Sequence, residues 1–414
     1  MSGLRLRKAT APHRLKLKTG RETSARHESI DILALMKIFL YISLGIAFII
    51  GAVVCWFSFA TKVKELKVPP TATRIERLEL IDNYLAELQE GADFNGAVLF
   101  AERGVPLLAN TYGFTDRTGK DKLTTRSSFR LASVSKQFTA AGILRATELG
   151  LLRLDEPITT YIKSPYPEVT VRHLLNHTSG IPDAYMDLAK TYRNSIGDVL
   201  SISDVIKLVD KNRPATTGKP GDAFSYSNTN YVLLAGIIES VASKSFEEFM
   251  QAEIFVPLDM ENSRVFNLNS SDSTFTNKTG DFFAVFGWRE PMEPTFLDGV
   301  AGDGNVYASI EDLLNWDAFW RGGNGIVSDS LLQQAFLKPT LNDGSTSNYG
   351  FGWQVTKTNQ WHDGSWLGAR TIIIRNPELK TVFVLLDNST NLRFDAIVGE
   401  LTKALRPSTT ATDS

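Results

Sequence analysis

The chain has one cysteine in 414 residues, Cys55, and it sits inside an apolar run. Everything beyond residue 61 therefore lacks a thiol, which excludes a disulfide framework, a cysteine nucleophile and a thiolate metal site there. Histidine is also scarce, with five in all. Only His173 and His177 stand at the i, i+4 spacing of helical metal ligands, and no glutamate follows His173 as an H-E-x-x-H site requires, so no metal is expected. Gly299, Gly302 and Gly304 lack the strand–turn–helix setting of a nucleotide loop. No cofactor is implied.

Charge is missing from one stretch altogether. Ile38 to Thr61 is 24 residues without a charged side chain, about 36 Å as a helix and long enough for a bilayer core of about 30 Å. Residues 1–37 carry nine basic side chains against Glu22, Glu28 and Asp31. Positive flanks stay in the cytoplasm, so the expectation is a cytoplasmic tail over 1–37, a single-pass anchor over 38–61, and a remainder on the periplasmic or extracellular side. A cleaved signal peptide is the rival, with Ser58-Phe59-Ala60 as its site, but signal cores run only about 7–15 residues. The whole chain nets −2 and the tail +6, leaving −8 on the remainder. Such a surface has no bulk attraction for nucleic acid.

The exported part reads as one unit. A stalk over 62–75 with Pro69-Pro70 leads into an amphipathic helix over 74–90, where Ile75, Leu78, Ile81, Leu85 and Leu88 recur at three- to four-residue spacing. Two strands then flank the turn Arg103-Gly104. The middle holds helices and polar loops, of which Asn267–Gly280 is the most loop-like. Strands return at Thr371–Ile374 and Thr381–Leu386, and a helix follows over 391–405. Strands at both ends with helices between them predict an α+β domain over 76–406, before a disordered tail over 407–414.

Within it, Ser133-Val134-Ser135-Lys136 is the chain's only S-x-x-K. It follows the strand-like Ser128–Leu131 and opens a helix over 133–149. At i, i+3 the Lys136 amine stands beside the Ser133 hydroxyl, which supplies the proton acceptor an alcohol nucleophile needs. The helix start adds N–H groups for a developing oxyanion.

Ser133–Lys136 followed by QFTAAGILRATELGLLRLDEPI resembles the nucleophile helix of class C β-lactamases, serine DD-peptidases and related esterases. The resemblance continues through His173–Asp183, Phe224–Tyr231, Gly302–Trp316, Tyr349–Val355 and His362–Thr371. It implies a β-lactamase/transpeptidase-like fold, an antiparallel sheet flanked by helices with an inserted helical subdomain, and acyl transfer through Ser133. By the same resemblance Tyr226 of Tyr226-Ser227-Asn228 shuttles protons with Lys136, and Asn228 holds the substrate amide. Tyr192-Arg193-Asn194 has the same spelling without the Gly/Pro-rich entry or the apolar helix that follows. The third motif, K-T-G or H-x-G, has three claimants: Lys18-Thr19-Gly20 in the tail, Lys278-Thr279-Gly280 in the polar loop, and His362-Asp363-Gly364 at the C-terminal strand pair. Order and context favour His362, with Gly364 allowing close approach of substrate backbone and Ser365 giving the second oxyanion N–H. A histidine with an ordinary pKa near 6.5 is largely neutral at pH 7–8 and offers a carboxylate no fixed charge. Arg370, on the same predicted strand and always charged, could compensate if it points the right way. Lactams, D-Ala-ending peptides such as peptidoglycan stem peptides, and simple esters all remain open as substrates, as does a sensor that is acylated without turnover.

Overall fold

The computed structural model describes residues 39–51, 61–270, 275–285, 288–323 and 325–406. The chain divides into two units, Met1–Phe59 and Ala60–Ser414. In the first, residues 39–51 form a helix. Among the described residues no helix is long and apolar enough to cross a membrane. The rest of the expected span below Thr61 lies outside the described residues, as do the tails over 1–37 and 407–414.

The second unit is α+β. Strands β1 (Gly96–Glu102) and β2 (Val105–Tyr112) make a hairpin whose two turn residues, Arg103 and Gly104, have φ of 52° and 82°. Positive φ at both places matches the twist of the flanking strands. Short β3 (Phe129–Arg130), β4 (Arg264–Val265) and β7 (Val306–Ala308) form a small sheet ordered β3-β7-β4, and β5 (Phe282–Val285) pairs β6 (Trp288–Pro291). The main sheet is completed by β8 (Gln354–Val355), β9 (Gln360–Trp366), β10 (Ala369–Asn376) and β11 (Thr381–Asp387), in the order β2-β1-β11-β10-β9-β8. The first and last long strands, β1 and β11, are antiparallel neighbours in register from Gly96↔Asp387 to Glu102↔Thr381.

Strand alternation divides the apolar side chains between two cores. Val98 and Phe100 of β1 and Phe383 and Leu385 of β11 face the helices Arg74–Glu90 and Phe394–Ala404. Leu99, Val384 and Leu386 face the larger core around helix Ser135–Glu148. Helix Arg74–Glu90 begins at a Thr73/Glu76 capping box and buries Leu78, Ile81, Leu85 and Leu88, whereas Ile75 in its first turn is 70% exposed. Residues 62–68, within the stretch read as a stalk, run along this layer. Leu66 is buried there, its N–H donates to Glu400 at 2.9 Å, and Tyr84 donates to the Lys64 carbonyl at 2.8 Å.

Two helices bring the chemistry together. Ser135–Glu148 buries 11 of its 14 residues, among them the polar Ser135, Lys136, Gln137 and Thr139, so these polar side chains must find hydrogen-bond partners inside the protein. At Gly142 a Cβ would lie 2.9 Å from Met250 Sδ and 3.0 Å from Ile238 Cδ1. That absent side chain lets helix Asn228–Ala242 and the short helix Phe246–Met250 pack close, with Asn228 at the start of the first opposite Lys136.

Candidate active site

Ser133 lies in a 3₁₀ turn, Ala132–Val134, that leads from β3 into the buried helix. Ala132 has φ of +47°, a left-handed conformation for a residue with a Cβ, and such strain is found where a reactive group must be presented at a sharp turn. Strand β9 runs against this turn. A Cβ at Gly364 would meet the Leu131 carbonyl oxygen at 2.4 Å and Ser133 N at 2.9 Å. The glycine expected to admit substrate backbone therefore admits the turn that carries Ser133. Thr371 of β10, paired with Gly364, fastens the contact by donating to the Leu131 carbonyl at 2.8 Å.

The Lys136 side chain is buried, and its ammonium has three oxygen partners: Ser133 Oγ at 3.3 Å, Asn228 Oδ1 at 2.7 Å and the Asp303 carbonyl at 2.8 Å. It also lies 4.9 Å from the Tyr226 ring centre. Tyr226 in turn rests on His177, ring centres 4.4 Å apart. Ser133, Asn228 and Ser365 line one cleft of about 270 Å³, together with Tyr185, Asp303 and Trp366. The structure thus brings Ser133, Lys136, Tyr226, Asn228, Gly364 and Ser365 together. The neighbouring Ser135 is fully buried, and its hydroxyl accepts from Val306 N at 3.0 Å.

His362 is part of this assembly but faces its wall. It is 4% exposed, its Nδ1 stands 2.6 Å from the Asp363 carbonyl, and its Nε2 stands 2.9 Å from the Tyr349 hydroxyl. A carbonyl only accepts, so Nδ1 carries the proton and Tyr349 donates to Nε2. Burial, then the nearby Lys136 charge, push the imidazole pKa down to about 3. The expectation of an ordinary value near 6.5 is corrected: desolvation keeps the ring neutral across the whole working range.

The rival spellings lie elsewhere. Lys278 holds its ammonium over the rings of Phe266 and Tyr307 and lines a separate cavity with Arg130 and Asp281. Tyr192 ends a short helix, with Lys211 5.5 Å from its ring centre. Arg370 pairs with Asp395 at 2.7 Å and lies over Phe394, so it does not compensate for His362. His173 accepts from Thr170 N in a helix cap, while His177 lies beneath Tyr226 and accepts from Ser227 N at 3.2 Å.

Four supporting residues escaped the sequence reading, although each stands inside a segment that carries the resemblance or beside one. Asp183 accepts from Asn228 Nδ2 at 2.8 Å and from Thr229 N, fixing the amide so that its oxygen faces Lys136. Asp303 accepts from the Tyr185 hydroxyl at 2.8 Å, and Tyr349 orients His362. Their signal was the motif text itself, which shows that a segment matters without saying which side chain turns inward.

The family model described as Beta-lactamase matches residues 81–405. The chain belongs to the Beta-lactamase family. It is 34% identical over 318 residues to penicillin-binding protein 4* of Bacillus subtilis, covering 73% of this chain and 69% of that one. Among solved structures it is similar in fold to a penicillin-binding protein from Bacillus halodurans (TM-score 0.66, 22% identity, 78% of this chain and 100% of that one). It is similar too to the D-amino acid amidase of Ochrobactrum anthropi (TM-score 0.61, 22% identity, 80% and 99%). The family makes this chain a serine hydrolase of the penicillin-binding-protein and β-lactamase type.

Proposed function

We propose that this member of the Beta-lactamase family is a membrane-anchored hydrolase that cleaves an amide or ester through an acyl-enzyme on Ser133. The observation that carries the reading is Lys136 Nζ at 3.3 Å from Ser133 Oγ, with its other hydrogen bonds made to the uncharged oxygens of Asn228 and Asp303. In its neutral form Lys136 takes the Ser133 proton as Oγ bonds the substrate carbonyl carbon. The proton then passes by way of Tyr226 to the departing amine or alcohol as the scissile bond breaks. Backbone N–H groups of Ser133 and Ser365 hold the oxyanion meanwhile. Water, deprotonated by the same pair, releases the acid and returns the proton to Oγ. Penicillin-binding relatives make cell-wall peptides the first substrates to try, and the amidase neighbour adds small amides.

Steady-state turnover of a neutral chromogenic ester by the wild type, abolished in Ser133→Ala, is expected; a single stoichiometric burst would make the protein a sensor instead. For the anchor, the uncharged run and basic tail support an N-terminus in the cytoplasm. Reporters fused after residue 62 should be active only where export activates them, and mature protein starting near Thr61 in the soluble fraction would show cleavage.

A further inference from the structure

Three basic side chains could hold a substrate carboxylate near Ser133, and none does. Arg370 is spent on Asp395, Lys278 lines a different cavity, and His362 is a neutral ring in the wall. Among the described residues the lining of the cleft holds no lysine or arginine, and Lys136 beside it is engaged by Ser133, Asn228 and the Asp303 carbonyl. That lining includes the apolar Met186, Leu297, Val300 and Trp366 and the acidic Asp298 and Asp303.

The two carboxylates differ. Asp298 is consumed, since it accepts from Arg130 at 2.8 Å, from Trp366 Nε1 at 3.1 Å and from Thr295 N at 2.7 Å. Asp303 accepts from the Tyr185 hydroxyl on Oδ2, and it is the Asp303 carbonyl, not its carboxylate, that receives Lys136. Burial pushes this carboxyl up and the Lys136 charge opposes the shift. The backbone N–H of Asp303 itself is a second donor, and a carboxylate with two donors still has acceptor capacity left. It stands on the residue that holds the catalytic amine, at the edge of a cleft near the small end of ligand pockets, about 300–1,000 Å³.

We infer that the cleft takes a small amide or ester whose acyl part joins an apolar side chain to a protonated amine, with the amine held by Asp303 and a carboxylate in its place disfavoured. Asp303 is then a specificity residue. This rests on Ser133 being the nucleophile. The test uses three p-nitroanilides of phenylalanine, with the amine free, N-acetylated or N-succinylated, each in both enantiomers, on the purified full chain. The free amine should exceed the N-acetyl form by about 10–100-fold in kcat/KM, the worth of one charge-assisted contact, mainly through KM, and the N-succinyl form should be poorest. In Asp303→Asn the amine-to-acetyl ratio should collapse to near unity, whatever the absolute rates. Should that variant not fold, the wild-type ratio still decides, because it should decline as the pH rises past the substrate amine's pKa. The groups facing Asp303, namely Lys136, Tyr185 and Asp183, act on both substrates alike and cancel in it. A wild type that prefers the N-acetyl or N-succinyl form, or a ratio that survives Asp303→Asn, overturns the inference. Labelling of Ser133 by an uncharged fluorophosphonate would then leave the hydrolase reading standing, and its absence would remove both.

Discussion

Two cations are buried six residues apart, and they are held in opposite ways. Arg130, 1% exposed, donates to Asp281 at 2.9 Å and Asp298 at 2.8 Å, also bonds Asn305, and lies over the rings of Tyr307 and Phe266. Lys136, equally buried, donates to a hydroxyl, an amide oxygen and a peptide carbonyl. A guanidinium clamped by carboxylates never releases its proton and can only hold elements together. Here it joins β3 to the loops that carry Asp281 and Asp298. Removing the proton from an amine whose hydrogen-bond partners are uncharged breaks no ion pair, as a residue that lends and retakes a proton requires. One cation fastens the wall, and in the proposed mechanism the other works in front of it.

The comparison is broken most severely at Arg130. Arg130→Met leaves the two carboxylates unpaired in the interior and should cost about 3–5 kcal/mol of unfolding free energy, measured by urea titration, with kcat of the folded fraction preserved. The reverse pattern is expected at Lys136. Lys136→Met should slow acylation by at least about a hundredfold, the scale of lost general-base help, while the melting temperature changes little. If each variant lost both properties equally, the division of labour would be wrong.

A smaller effect is expected in the neutral wall. Tyr349→Phe strands the buried Nε2 of His362 without its donor and should cost about 1–3 kcal/mol, read in stability and in kcat. For pH, the folded value of His362, about 3, lies below its unfolded value near 6.5. The stability the neutral ring confers is therefore complete above about pH 6.5 and is lost as the pH falls through about 3. In the native range the ring should not titrate: its carbon-bound proton resonances should stay fixed from pH 5 to 9, and kcat/KM for a neutral ester should show no ionisation at 6.5 arising from it. A midpoint near 6.5 that disappears in His362→Asn would contradict the buried, donor-capped ring.

Local signals made much of this legible. The S-x-x-K at a helix start, the amphipathic helix over 74–90, the hairpin turn at Arg103-Gly104 and the closing strands all rest on neighbours in sequence, where spacing alone fixes geometry. The α+β class followed from their order. What could not be read depended on partners far along the chain. Gly364 meets a turn more than 230 positions earlier, His362 owes its neutrality to burial behind Tyr349 and Lys136, and Asp183 and Asp303 become part of the site only when the helix starts at Ser135 and Asn228 converge. Ile75, periodic in sequence yet exposed, shows the same limit from the other side, since a helical stripe is wider than the surface it meets.

The central claim is that Ser133, presented by the strained turn and served by Lys136, is the nucleophile. Treating the purified full chain with a fluorophosphonate and sequencing the modified peptide by mass spectrometry tests it directly. The adduct should sit on Ser133, at one per chain, and be absent from Ser133→Ala. An adduct on Ser135 or Ser365, or labelling that persists in the variant, would contradict the account.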